Sequence, residues 1–167
     1  LDPKKNSWLL QKKISTSFIN NLPFSKNHFQ KYFPLFPLAI EQFDLAEFPL
    51  VVSSSHLVAK GVLTSPDQLH VSYVHTPMRF AWDQMNTYLK SSTLCKLGFE
   101  PVVRIIMHNL RSWDQTSSMR IDKICTNSSF TSRRIKKYWG RDSEVIFGPV
   151  DVDKFDFKKN RGNYYLS

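Results

Sequence analysis

Apolar and polar positions divide the chain into short apolar runs and longer amphipathic stretches. Residues 7–20 carry Trp8, Leu9, Ile14 and Phe18 on a loose apolar face, which predicts a helix. Residues 21–37 hold Pro23, Pro34 and Pro37 among aromatics. Proline removes a backbone donor and forbids a long helix, so this stretch reads as an ordered loop packed through its rings. A short helix over 38–43 follows. The first clear strand is 48–53, ending in Ser53, Ser54, Ser55 and His56. A short helix runs through Lys60, with Gly61 placed to stop it. After the turn Ser65-Pro66-Asp67, a strand over 69–74 ends in His75-Thr76-Pro77, and a helix over 78–89 comes next.

The longest element is a helix over 99–122. Phe99, Val102, Val103, Ile106, Leu110, Trp113 and Ile121 recur there at mostly three- and four-residue steps. A strand over 124–127, a helix over 130–139 and a strand over 145–147 complete the series. Ser128 or Ser129 is suited to cap the second of these helices and Gly140 to end it. Strands alternating with helices predict an α/β fold with a mostly parallel sheet. In open sheets of this kind ligands bind at the carboxyl ends of the strands. That places function near His75 and near Asn127-Ser128-Ser129.

With 167 residues, 41% hydrophobic and 14% aromatic, the chain is long enough for one domain with a core. Lys and Arg number 23 against 14 Asp and Glu, a net charge of +9. That balance admits nucleic acid, an anionic membrane surface or phosphorylated small molecules as partners. Cys95 and Cys125 are isolated, without zinc spacing, and Cys125 in its apolar run reads as a small core residue. No HExxH, P-loop, GxSxG or complete GxGxxG occurs, so metalloprotease, NTPase, hydrolase and dehydrogenase readings lack support.

Several segments together resemble a known family. Arg120-Ile121-Asp122 through Asn127-Ser128 and Arg134-Ile135-Lys136, then Val145-Ile146-Phe147-Gly148-Pro149-Val150-Asp151 and Phe155, resemble family 4 of the retaining glycosyltransferases. Ser53-Ser54-Ser55-His56 with Lys60-Gly61, the run Tyr73-Val74-His75-Thr76-Pro77 with Arg79, Trp82 and Asp83, and Tyr32-Phe33-Pro34 through Glu41 are similar to one branch of it. Gly148 stands where the family has a proline, which loosens that turn. The resemblance implies a GT-B architecture of two Rossmann-like domains. Members of this branch are often mannosyl- or other hexosyltransferases that assemble bacterial surface polysaccharides, and the resemblance implies that activity here.

The family's opening strand and glycine-rich loop, and its nucleotide pocket with paired glutamates, have no counterpart here. The expectation is a partial acceptor-side domain over 1–150, truncated at both ends. Residues 151–167 would form an interdomain linker, with 164–167 opening a further strand of the absent donor domain. Such a piece is expected to be inactive alone and to expose a sheet edge and apolar surface.

Glycosyl transfer develops positive charge on the sugar and negative charge on the leaving phosphate, which asks for hydrogen bonds and cations. The resemblance implies that His75 lies near the transferred sugar as the catalytic candidate; the plainer alternative is a core histidine bonded to backbone. Lys60 and Arg79 are candidates for acceptor or phosphate contacts, or surface charges. Asn127 and Ser128 face the cleft, cap a helix or do both. Trp82 and Asp83 shape the acceptor pocket, or Trp82 simply packs. Arg133, Arg134, Lys136 and Lys137 form a solvated face or meet anionic lipid head groups. The implied substrates are a GDP- or UDP-linked sugar and a glycan or lipid-linked acceptor, with no metal and no other cofactor. The implied location is cytoplasmic, peripheral to the inner face of the cell membrane. A basic α/β module for nucleic acid and a non-catalytic scaffold stand as alternatives, although no nucleic-acid motif is present.

Overall fold

The computed structural model describes residues 12–154. Four strands, β1 (Leu50–Ser55), β2 (Leu69–Val74), β3 (Lys123–Thr126) and β4 (Glu144–Val145), form one sheet in the order β1-β2-β3-β4. Every pairing is parallel, as the alternation of strands and helices predicts. Parallel neighbours require crossovers. Successive crossovers stepping the same way with the usual right hand place their helices on one face. The result is an α/β structure built on a four-stranded parallel sheet, compatible with a Rossmann-like fold.

Burial along the strands marks the covered face. Val51, Ser53 and Ser55 of β1, His70, Ser72 and Val74 of β2, and Ile124 and Thr126 of β3 are buried. Helix α4 (Glu100–Ser118) turns Val103, Met107, Leu110, Asp114 and Ser117 inward, at steps of four and three residues. Helix α5 (Ser129–Trp139) packs Ile135 and Trp139 against Val74, Ile121 and Ile124. A second cluster joins Met78, Ala81 and Leu89, the last from α3 (Met85–Ser91), to Val103, Met107 and Leu110. On the opposite face Val52 is 68% exposed, Leu50 52% and Leu69 47%. Cys125 belongs to this second face and is half-buried rather than in the core, because strand alternation puts it opposite Ile124 and Thr126.

Several expected elements take other forms. Residues 12–17 have no regular structure and Phe18–Asn21 is a single 3-10 turn; the Ser15-Thr16-Ser17 run competes for backbone hydrogen bonds and disfavours a helix. Residues 7–11 lie outside the described part. The proline-rich stretch contains α1 (Ser25–His28), a 3-10 segment Phe29–Leu35 that admits Pro34, and α2 (Phe36–Glu41). The long helix stops at Ser118, not Asp122. The carboxylate of Asp122 accepts from the His70 backbone N–H at 2.7 Å, tying the following turn to β2. Residues 79–84 form turns before α3 begins.

Gly61 ends a 3-10 turn (Ala59–Gly61), and what requires glycine there is the Trp113 ring, which a Cβ would strike. Gly140 terminates α5 as expected, with φ 70° and its N–H donating to Lys136 O at 3.1 Å. Past Pro149 a 3-10 turn, Val152–Lys154, is the last described element; the remainder of the expected linker and the strand over 164–167 lie outside the described residues. Among the described residues no helix is long and apolar enough to cross a membrane.

Candidate functional site

The carboxyl ends of β1 and β2 and the first turn of α5 border one open pocket of about 500 Å³. His75 and Thr76 enter from β2, His56 and Leu57 from beyond β1, Arg79 from the next turn, and Thr131 from α5. His75 continues the sheet ladder, its N–H donating to Ser55 O at 2.8 Å. Its Nε2 lies 2.9 Å from Ser54 Oγ, and its ring stands edge-on to Tyr73 with centroids 5.3 Å apart. The imidazole is thus oriented yet exposed, and it is not a core histidine. Arg79 is exposed and makes no ion pair among the described residues.

The turn after β3 is held by its own side chains. Ser128 caps α5, accepting from Thr131 N–H at 3.2 Å. The Asn127 side-chain oxygen accepts from the Ser128 and Thr131 hydroxyls at 3.2 and 3.1 Å, and Thr131 Oγ1 lies 3.3 Å from His75 O. These bonds tie the amino end of α5 to the end of β2. The positive end of the helix macrodipole therefore borders the pocket that holds His75 and Arg79. No carboxylate lines it. An imidazole, a guanidinium and hydroxyls in that setting are equipped to bind an anion and to hydrogen-bond a polyol.

Three other residues singled out in the sequence sit elsewhere. Lys60 is 1% exposed, inside the covered face. Its Nζ lies 3.2 Å from Asp114 Oδ1 and donates to Asp114 O at 2.8 Å and to Ser117 Oγ. The Trp113 and Trp139 rings stand 4.8 Å from it. Burial pushes its pKa below the ordinary lysine value, opposed by the Asp114 charge. Asp114 Oδ2 accepts from Trp82 Nε1 and Trp139 Nε1, each at 2.8 Å. Trp82 also stacks on Tyr138 at 4.6 Å, so its part is packing. Asp83 receives a two-pronged bond from Arg134, which holds its carboxyl below the usual carboxylate range. That pairing takes Arg134 out of the exposed basic face, which keeps Arg133, Lys136 and Lys137.

A second compartment of about 360 Å³ opens beside the first. Phe29, Phe33, Phe36 and Met107 line it, and it shares His56, Leu57, Phe80 and Tyr88 with the polar pocket. The aromatic density of the stretch over 21–37 was its signal in the sequence. Nothing in the chain order placed those rings beside His75. Among the described residues no group of His, Cys, Asp and Glu is arranged to hold a metal ion. Comparison with family models, curated proteins and solved structures gave no match.

Proposed function

We propose that this chain is the acceptor-side part of a retaining glycosyltransferase of GT-B type. It would move a hexose, mannose by the motif resemblance, from a GDP- or UDP-linked donor to a glycan or lipid-linked acceptor. The observation that carries this reading is the placement of His75 and Arg79 in one pocket at the carboxyl edge of a parallel sheet, against the capped amino end of α5. In this reading His75 hydrogen-bonds the sugar as positive charge develops on it, and Arg79 contacts the acceptor. Ser54 orients the imidazole. Asn127 and Ser128 position the helix end rather than touch the sugar.

The test is transfer by the full-length parent protein, with a panel of UDP- and GDP-sugars and membrane extract as acceptor. The expected result is product from one donor, with turnover reduced by roughly two or more orders of magnitude in His75→Ala at unchanged folding. A well-folded parent that yields no product from any donor would reject the transferase reading. It would leave a basic binding module or a non-catalytic scaffold.

A further inference from the structure

We propose that the polar and aromatic compartments form one bipartite site for an amphiphilic anion, an aliphatic chain ending in a phosphate. The two compartments share a wall of four residues, His56, Leu57, Phe80 and Tyr88, so a single ligand can span both. The apolar end is built from rings. Phe33 meets Phe80 edge-on at 5.9 Å, Phe29 stacks on Phe36 at 6.4 Å, and Phe80 leans on Tyr88 at 5.9 Å. Rings held against one another in this way keep a cavity open that flexible aliphatic side chains would fill. At about 360 Å³ it is within the range of pockets that bury a small apolar ligand.

The charge of the other end selects the head group. Neither compartment is lined by a carboxylate, whereas Arg79, His56 and His75 all face the polar one. A neutral alcohol would leave the Arg79 guanidinium without an ionic partner, and a cationic head would meet no counter-charge. A phosphate satisfies the guanidinium with charge-assisted bonds. The chain then lies among Phe29, Phe33 and Phe36, outside the polar compartment where sugar chemistry would occur. This names the acceptor class for the proposed transferase and rests on that reading for its chemistry, although not for binding.

The experiment is calorimetric titration of the protein with decyl phosphate below its micelle concentration, beside inorganic phosphate and decanol. Saturable binding is expected for decyl phosphate, at least about tenfold tighter than for either half alone. Phe29→Ala and Tyr88→Ala, both at partly exposed positions, are expected to weaken it about tenfold. Arg79→Gln should weaken decyl phosphate and leave decanol unchanged.

Decyl phosphate no tighter than inorganic phosphate, or unaffected by the aromatic variants, would overturn the proposal. So would binding only to anionic vesicles with steep salt dependence, which would assign the anion to the basic face of α5 instead. Decyl phosphate binding to this chain, with no sugar transfer by the full-length parent, would reject the transferase reading and keep the site. Transfer to acceptors whose use is indifferent to Phe29 and Tyr88 would keep the transferase reading and reject the site.

Discussion

The two faces of the sheet depart from a simple inside-outside rule: the covered one is rich in polar side chains and the open one in apolar side chains. On the covered face the strands present Ser53, Ser55, His70, Ser72 and Thr126 beside Val51, Val74 and Ile124. On the open face they present Leu50, Val52, Leu69, Val71 and Tyr73. Most of the covered polar groups are tolerable because they bond to one another or to backbone. Ser53 Oγ donates to Ser72 Oγ at 2.9 Å and lies 2.9 Å from His70 Nε2, Ser55 Oγ accepts from Lys60 N–H, and Thr126 Oγ1 donates to Val74 O. Burial here follows the position of the helices, and polarity is accommodated by satisfied bonds. The lesson is energetic. A residue on the covered face is costly to remove even when polar, and an apolar residue on the open face is cheap to remove.

The largest effect should come from Asp114→Ala. It strands the buried Lys60 ammonium and two indole N–H groups, and a loss of about 3–5 kcal/mol is expected by denaturant unfolding. A loss below about 1 kcal/mol would mean that the ion pair does not organise this face. Next in size is Gly61→Ala. It drives a methyl group into Trp113 and should cost about 1–3 kcal/mol in the same measurement.

Smaller still is a pH effect from His70. Burial holds His70 below its ordinary value, outweighing the Asp122 charge that favours the protonated ring. The unfolded chain therefore takes up a proton that the folded one refuses. Stability should fall as pH drops below about 6.5, and level off once the folded form protonates. Melting temperatures from pH 7.5 to 5 would follow this, and His70→Gln should flatten that part of the profile. A slope unchanged by that substitution would place the titration elsewhere. The smallest effect is expected from Val52→Thr on the open face, within about 0.5 kcal/mol. A large loss there would break the comparison, since it would mean that the face is packed.

The contrast between faces also explains what the sequence could disclose. Strand positions and parallel pairing were legible, because short apolar runs alternated with amphipathic stretches and Gly140 and Ser128 marked the ends of a helix. The covered face was not legible. Both faces of a parallel strand carry apolar residues, and Val52 and Val51 look alike in the chain. Lys60 read as a ligand contact or a surface charge, and neither holds, because its partner, Asp114, lies 54 residues away on α4. His75 was legible as a strand-end residue. The aromatic compartment beside it was not, since it is assembled from residues 29–36, 56–57, 80–88 and 107. The missing helix over 12–17 shows the limit of periodicity where local polar side chains compete with the backbone.

The ion pair at Lys60 and Asp114 also gives the molecule an optical label. Three of its four tryptophans, Trp82, Trp113 and Trp139, converge on that pair, through indole N–H bonds or rings facing the ammonium. None of the three lines either compartment. Emission from these three should therefore report the opening of the interior, with charge and hydrogen bonds at the indoles changing together. It should stay nearly silent when a ligand enters. Unfolding and occupancy can then be followed in one sample without mixing their signals, emission for the first and heat for the second.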